Sequence, residues 1–349
     1  MIGWRQAGGL VPLLLAIATA QPALAQPTMA KPAPLQPVDE IQRNDVTVQS
    51  IGWKLARANA LYCARVAPGI GVMLQDVRTF DDPALARQVY GLAGDIGVGA
   101  MASDGPAARA GLPLNATVES VDALAVSSLP VPRQGKWDRL FAVQDALERD
   151  AARDGRVTLG LAGGQRLTIA GEPVCQVRFL MDDSKGNAGA NRDTVRIGRP
   201  MAEVAKWDEA EIAALTAHEL AHAVLDHQTW LEHGGSARKT EREADRLSVW
   251  LLQNAGYDPA AAMAWMRRIG PRYEILFFAS PDHGSWRTRV RTMAAEIATM
   301  QAATHHGAKA DWPRLFRRED GAPPMPQPAM PQPASAVDKA PMAPGAPRR

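Results

Sequence analysis

Residues 207–227 read WDEAEIAALTAHELAHAVLDH. Asp208 with Glu211 three residues on is a helix-start signature, and Ile212, Leu215, Leu220, Val224 and Leu225 recur at helical spacing. The spacing predicts a helix with His218 and His222 one turn apart on a shared face, separated by ~40° of rotation. Two imidazoles so placed can hold one zinc ion, and Glu219 beside them can take a proton from water at the metal. This is the His-Glu-x-x-His pattern. On its own the pattern also fits a helix carrying two surface histidines.

A zinc site needs a third protein ligand. His227, five residues past His222, points ~140° away round a continuous helix. It also lacks the glycine and the longer spacing of the three-histidine pattern, so it is rejected as a ligand. Glu241 is expected instead, at the start of another helix that runs to Gly256 and ends before Asp258-Pro259. Glu241 and Asp245 lie one turn apart, and like charges so placed cost a helix ~0.2–0.5 kcal/mol. Zinc on Glu241 and an imidazole N–H on Asp245 would offset that cost, which makes Asp245 the carboxylate that orients a ligand histidine. An exposed face tied to Arg242 and Arg246 would offset it too. Glu243 is expected to point elsewhere and to be structural.

Working outward, the chain has 349 residues, a hydrophobic share of 46% and a formal net charge of +2. That composition is globular, and without a long basic run it implies neither nucleic acid nor an acidic membrane surface as partner. Residues 1–25 read as an export signal: Arg5, an apolar run from Leu10 to Thr19, and the small-x-small site Ala23-Leu24-Ala25. An uncleaved anchor is the other reading. No later segment approaches the ~20 apolar residues of a membrane span, so the mature protein is expected to lack one and to be periplasmic or secreted from a bacterial cell. Residues 26–45 look like a flexible leader, 46–67 an N-terminal helix, and 311–349 a disordered tail rich in Pro, Ala and Met. Cys63 and Cys175 are the only cysteines. In an oxidising compartment they form one disulfide or remain two buried thiols.

Two blocks lie between, and the expected class is α+β. Residues 68–173 carry short strand patterns at 71–77, 96–102, 117–121, 157–161 and 166–169, interrupted by a helix over 136–153. This block resembles a bacterial PDZ domain through Gly69-Ile70-Gly71-Val72, Gly105-Pro106-Ala107-Ala108-Arg109-Ala110-Gly111-Leu112 and Val157-Thr158-Leu159-Gly160-Leu161. Asn115-Ala116 stand where a Gly-Asp is usual, and Asp122-Ala123 replace Asn-Gly. The resemblance implies a site for an extended C-terminal peptide, with Ile70 and Gly71 lining the carboxylate nest. A purely structural insert is the alternative.

Residues 174–310 begin with strand patterns at 176–180 and 194–197 and are helical thereafter. They resemble the HtpX and BepA family of zinc metallopeptidases, gluzincins that include the CAAX prenyl endopeptidases. The matching residues are His218-Glu219-Leu220-Ala221-His222, the Glu-x-x-Ala-Asp from Glu241 to Asp245, Ala255-Gly256-Tyr257-Asp258-Pro259, Asn187-Ala188, and His283 with Arg289-Val290. Gly284 replaces a proline and Gly189 an aromatic of the family pattern. The resemblance implies a mainly helical, zincin-like domain with a small edge sheet and one zinc per chain on His218, His222 and Glu241. Glu219 would be the general base, the substrate would lie along an edge strand at 194–197, and His283 would stabilise the oxyanion or cap the metal. As a bare residue, His283 also reads as a loop histidine. The expected function is endopeptidase cleavage of misfolded or unassembled envelope proteins. A periplasmic chaperone or assembly factor with a capped or vestigial metal site is the alternative.

Overall fold

A computed structural model of the chain describes residues 36–182, 188–199, 206, 208–276, 284–304 and 309–328. The export signal and the leader as far as residue 35, His283, and the tail beyond residue 328 lie outside the described residues. Helix α1 (Gln36–Ala58) leads into β1 (Val66–Gly69), β2 (Val72–Asp76), α2 (Pro83–Tyr90), β3 (Ile96–Met101), α3 (Pro106–Arg109), β4 (Val118–Val121) and β5 (Leu124–Ala125). Then come α4 (Asp138–Asp154), β6 (Arg156–Leu161), β7 (Arg166–Ala170), β8 (Glu172–Cys175), β9 (Arg178–Asp182), β10 (Gly189–Ala190) and β11 (Thr194–Gly198). Helices α5 (Glu209–Val224), α6 (His227–Glu232), α7 (Ala237–Asn254), α8 (Ala260–Leu276), α9 (Trp286–Ala303) and α10 (Trp312–Leu315) follow. The architecture is mixed α+β with small sheets. Among the described residues no helix is long and apolar enough to cross a membrane.

In the first block β2 pairs antiparallel with β3, and β5, β4, β6 and β7 form an antiparallel sheet in that order. Their inward residues Val72, Leu74, Val98, Val121, Val157 and Leu159 close over Leu140, Val143 and Leu147 of α4 in one buried core. Each such side chain contributes ~1.5–3 kcal/mol of burial. Asn115 and Asp122, where the chain departs from the PDZ pattern, both adopt positive φ, 63° and 45°. Asn and Asp tolerate that conformation best after glycine. Strand β1 pairs antiparallel with β8, so the chain enters and leaves the block side by side, and Cys63 is disulfide-bonded to Cys175.

A second core joins Val48, Ile51 and Leu55 of α1 to Ile212, Leu215 and Leu220 of α5 and to Leu247, Trp250 and Leu251 of α7. Helix α1 touches β3 and β8 as well as α5 and β9, so it ties the two blocks together. It begins at Gln36, inside the stretch expected to be a flexible leader, and ends at Ala58, so the N-terminal helix lies nearer the N-terminus than the expected 46–67.

Two further expectations are corrected. Strand β11 pairs in parallel with β9 on one side and antiparallel with β10 on the other, so 194–197 is a central strand and not an edge. An alternating pattern locates a strand but says nothing of its neighbours. The expected tail from residue 311 also starts too early. Trp312 and Phe316 are buried in the second core, and residues 310–320 lie along α7. Those anchors are two aromatics in a Pro-poor stretch, ahead of the biased composition that suggested disorder.

Candidate metal centre

Helix α5 starts where the sequence places it, because the Asp208 side chain accepts the Glu211 backbone N–H at 3.1 Å. Glu211 does not reach back to complete a reciprocal cap. Its carboxylate pairs with Arg268 at 2.9 Å instead. The apolar face of α5 is buried against α7 and α1, which fixes the rotation of the helix about its axis. His218 and His222 then stand one above the other, ring centroids 4.9 Å apart. Helix α7 brings Glu241 opposite them.

Nε2 of His218 and Nε2 of His222 are 3.2 Å apart. Glu241 places Oε2 3.5 Å from the first and Oε1 3.4 Å from the second. Each Glu241 oxygen faces a different imidazole, and one ligand atom from each of the three side chains lies within 4.8 Å of the others, so together they could hold one metal ion. Among the described residues these three are the cluster so placed. The reading of a helix with two surface histidines therefore fails.

Asp245 lies behind His218, its Oδ1 3.2 Å from Nδ1. Arg289 of α9 clamps the same carboxylate from Nε at 2.6 Å and Nη2 at 2.7 Å, and its Nη2 lies 3.3 Å from Glu241. Arg242 and Arg246, the neighbours in sequence, turn away to Glu319 and Glu296. The cation that relieves the Glu241–Asp245 repulsion thus comes from 44 residues downstream. Burial opposes charge on His218, but the Asp245 and Glu241 carboxylates outweigh it and lift its pKa to about 10. A metal ion must therefore displace a proton from this ring. Burial also opposes charge on Asp245, yet Arg289 and His218 hold its carboxyl below the ordinary range.

Glu219 is buried beside the two histidines. Burial raises its pKa above the usual carboxylate value, against the opposing pull of His218 and His222. A carboxylate with raised basicity next to a metal triangle is suited to accept a proton.

His227 is not a member of the triangle, but neither does it point away. Helix α5 ends at Val224, and Asp226 takes a left-handed conformation, φ 54° and ψ 48°, before α6 starts at His227. That break turns the ring back onto His222, Nδ1 to Nδ1 at 2.9 Å. Glu243, expected to be merely structural, meets His227 Nε2 at 2.9 Å and accepts from Arg318 and the Glu319 backbone N–H. Burial pushes His227 down to about 4, with Glu243 opposing. Glu243 falls to about 2, because His227, Arg318 and the Glu319 N–H outweigh its burial. A helix wheel drawn straight through Asp226 hides all of this.

Ile70 and Gly71 line a cavity of about 140 Å³ between β2, α4, α1 and residues 174–179. The free edge of β2 is closed: Gln144 of α4 accepts the Leu74 N–H at 3.1 Å and donates to the Val72 carbonyl at 3.2 Å. No protein-family model matches the chain, and neither a curated protein nor a solved structure matches it.

Proposed function

We propose that this chain is a zinc-dependent endopeptidase of the bacterial envelope, with His218, His222 and Glu241 as metal ligands and Glu219 as general base. The observation that carries the reading is the cluster of His218, His222 and Glu241, whose ligand atoms lie within 4.8 Å of one another, with a buried carboxylate of raised pKa beside it. Zinc bound there supplies Lewis acidity, which acidifies water and polarises a peptide carbonyl. Glu219 takes the proton of the attacking water and later returns it to the leaving amine. Asp245 and Arg289 hold His218 and Glu241 in place. The helical second block is read as zincin-like and the first as PDZ-like, and misfolded or unassembled polypeptides are the expected substrates. The disulfide between Cys63 and Cys175 supports an oxidising, periplasmic or extracellular setting.

The test is zinc content and cleavage of casein by wild type, Glu241→Gln and Glu219→Gln. Wild type should hold one zinc per chain and Glu241→Gln should lose it. Glu219→Gln should keep zinc while turnover falls ~10²–10⁴-fold. Cleavage at the wild-type rate by Glu219→Gln would end this mechanism. Zinc-loaded protein that cleaves nothing yet protects an unfolding client would favour the chaperone alternative.

A further inference from the structure

Nε2 of His222 faces the metal triangle, and its other ring nitrogen sits 2.9 Å from Nδ1 of His227. Two nitrogens at that distance share one proton, and what lies behind His227 settles which of them carries it. Glu243 Oε2 is 2.9 Å from His227 Nε2. That carboxylate also accepts from Arg318 Nη2, 2.8 Å to Oε2, and from the Glu319 backbone N–H, 2.6 Å to Oε1. With donors on both oxygens it is an anion and can only accept. His227 therefore carries a proton on Nε2, and its burial disfavours a second one, so Nδ1 keeps a lone pair and His222 must donate from its own Nδ1. That leaves a lone pair on His222 Nε2, facing His218 and Glu241. The opposite arrangement would put a proton where a metal ion has to bind.

Asp245 and Arg289 do the same for His218 in a shorter chain. The longer chain differs in where its arginine comes from. Arg318 belongs to the segment after α10, outside the helices that carry the ligands. Buried Trp312 and Phe316 anchor that segment, and Arg246 stacks over Phe316 at 4.7 Å while holding the Arg317 carbonyl at 2.9 Å. His227, Glu243 and Arg318 are all at most 8% exposed. Apolar side chains at this place would avoid the desolvation cost of three buried polar groups. Packing alone therefore gives no reason for the chain.

We propose that His227 is a positioning residue for His222, held by Glu243 and Arg318 in the one tautomer that leaves His222 Nε2 open to a metal ion. Segment 309–328 thereby governs how tightly the metal is retained. The inference rests on the metal-centre reading above but not on peptidase activity.

The experiment is competition for zinc between the full chain and a chromophoric chelator, with absorption spectra of the cobalt-substituted protein and a melting curve as a folding check. His227→Phe fills the space but removes the acceptor, so zinc affinity should fall ~10–100-fold and the cobalt bands should shift. His227→Gln can again accept from His222 and donate to Glu243, and should recover most of the loss. Arg318→Met touches no atom of the triangle and should weaken zinc in the same direction. Wild-type affinity in His227→Phe overturns the inference, as does a folded His227→Gln no better than His227→Phe. If His227→Phe does not fold, Arg318→Met decides, and affinity equal to wild type overturns it. Wild type that takes up no zinc removes the metal centre and this inference together. Wild type that binds zinc but hydrolyses nothing removes only the peptidase reading.

Discussion

His227 is 1% exposed and neutral in the fold, and that has a cost in acid. Its pKa falls from 6.5 to about 4 on folding. The stability that goes with the neutral ring is thus complete above pH ~6.5 and drains away as pH falls towards 4, by up to about 3 kcal/mol. Glu243, lowered from 4.5 to about 2, adds a further loss that begins below pH ~4.5. Urea unfolding of chelator-treated protein at pH 7 and pH 4.5 should show the first loss in wild type and a smaller one in His227→Gln. Equal losses would mean His227 does not titrate with unfolding. Arg289 sits at the other end of the centre. Arg289→Met leaves the buried Asp245 carboxylate with His218 as its remaining partner and should destabilise the fold by up to about 3–5 kcal/mol, measured in the same unfolding assay. His218, Glu219, His222, Glu241 and Asp245 were all legible in the sequence, because helical periodicity and like-charge spacing are local facts. Arg289 entered only through the family resemblance and without a role, and Arg318 not at all, since nothing local says which distant arginine answers a buried carboxylate.

The break between α5 and α6 is the element that re-aims His227, and it rests on one left-handed residue. Asp226→Gly should keep the turn and the zinc site, because glycine enters that conformation freely. Asp226→Val should lose about 1–2 kcal/mol in thermal unfolding, because a β-branched side chain resists it. Equal stability of the two variants would show that the backbone at Asp226 carries no such demand. At β2, Gln144 is 2% exposed and occupies the backbone groups that an added peptide strand would need. Gln144→Ala should therefore raise affinity for a peptide with a free C-terminal carboxylate, read by fluorescence anisotropy. No binding by either form would mark the first block as a scaffold. The strands and helix of this block could be read from alternation and periodicity. The plug could not, because Gln144 looks like any other polar residue on a helix.

On the scale of the whole molecule, one disulfide between residues 112 positions apart closes the loop that contains the first block. Chain entropy gives such a cross-link up to about 4–5 kcal/mol. Cys63→Ser, or reductant added to wild type, should lower the melting temperature markedly, and an unchanged melt would deny the bond any structural weight. The pairing depends on β1 meeting β8, a contact across the full length of the block. The first block holds its own main core and a small cluster of Val77, Ala86, Tyr90 and Leu92, while α1 buries its side chains in the second core and also lies against β3 and β8. By itself the sequence determined the α+β class and that His218, His222 and Glu241 could share a metal ion with Glu219 beside them, because these follow from patterns repeated within a turn or two of chain. Only the tertiary structure decided the central place of β11 and the arginines that complete the centre. These depend on which distant segments meet, and that is governed by the packing of whole helices and sheets rather than by any local run of residues.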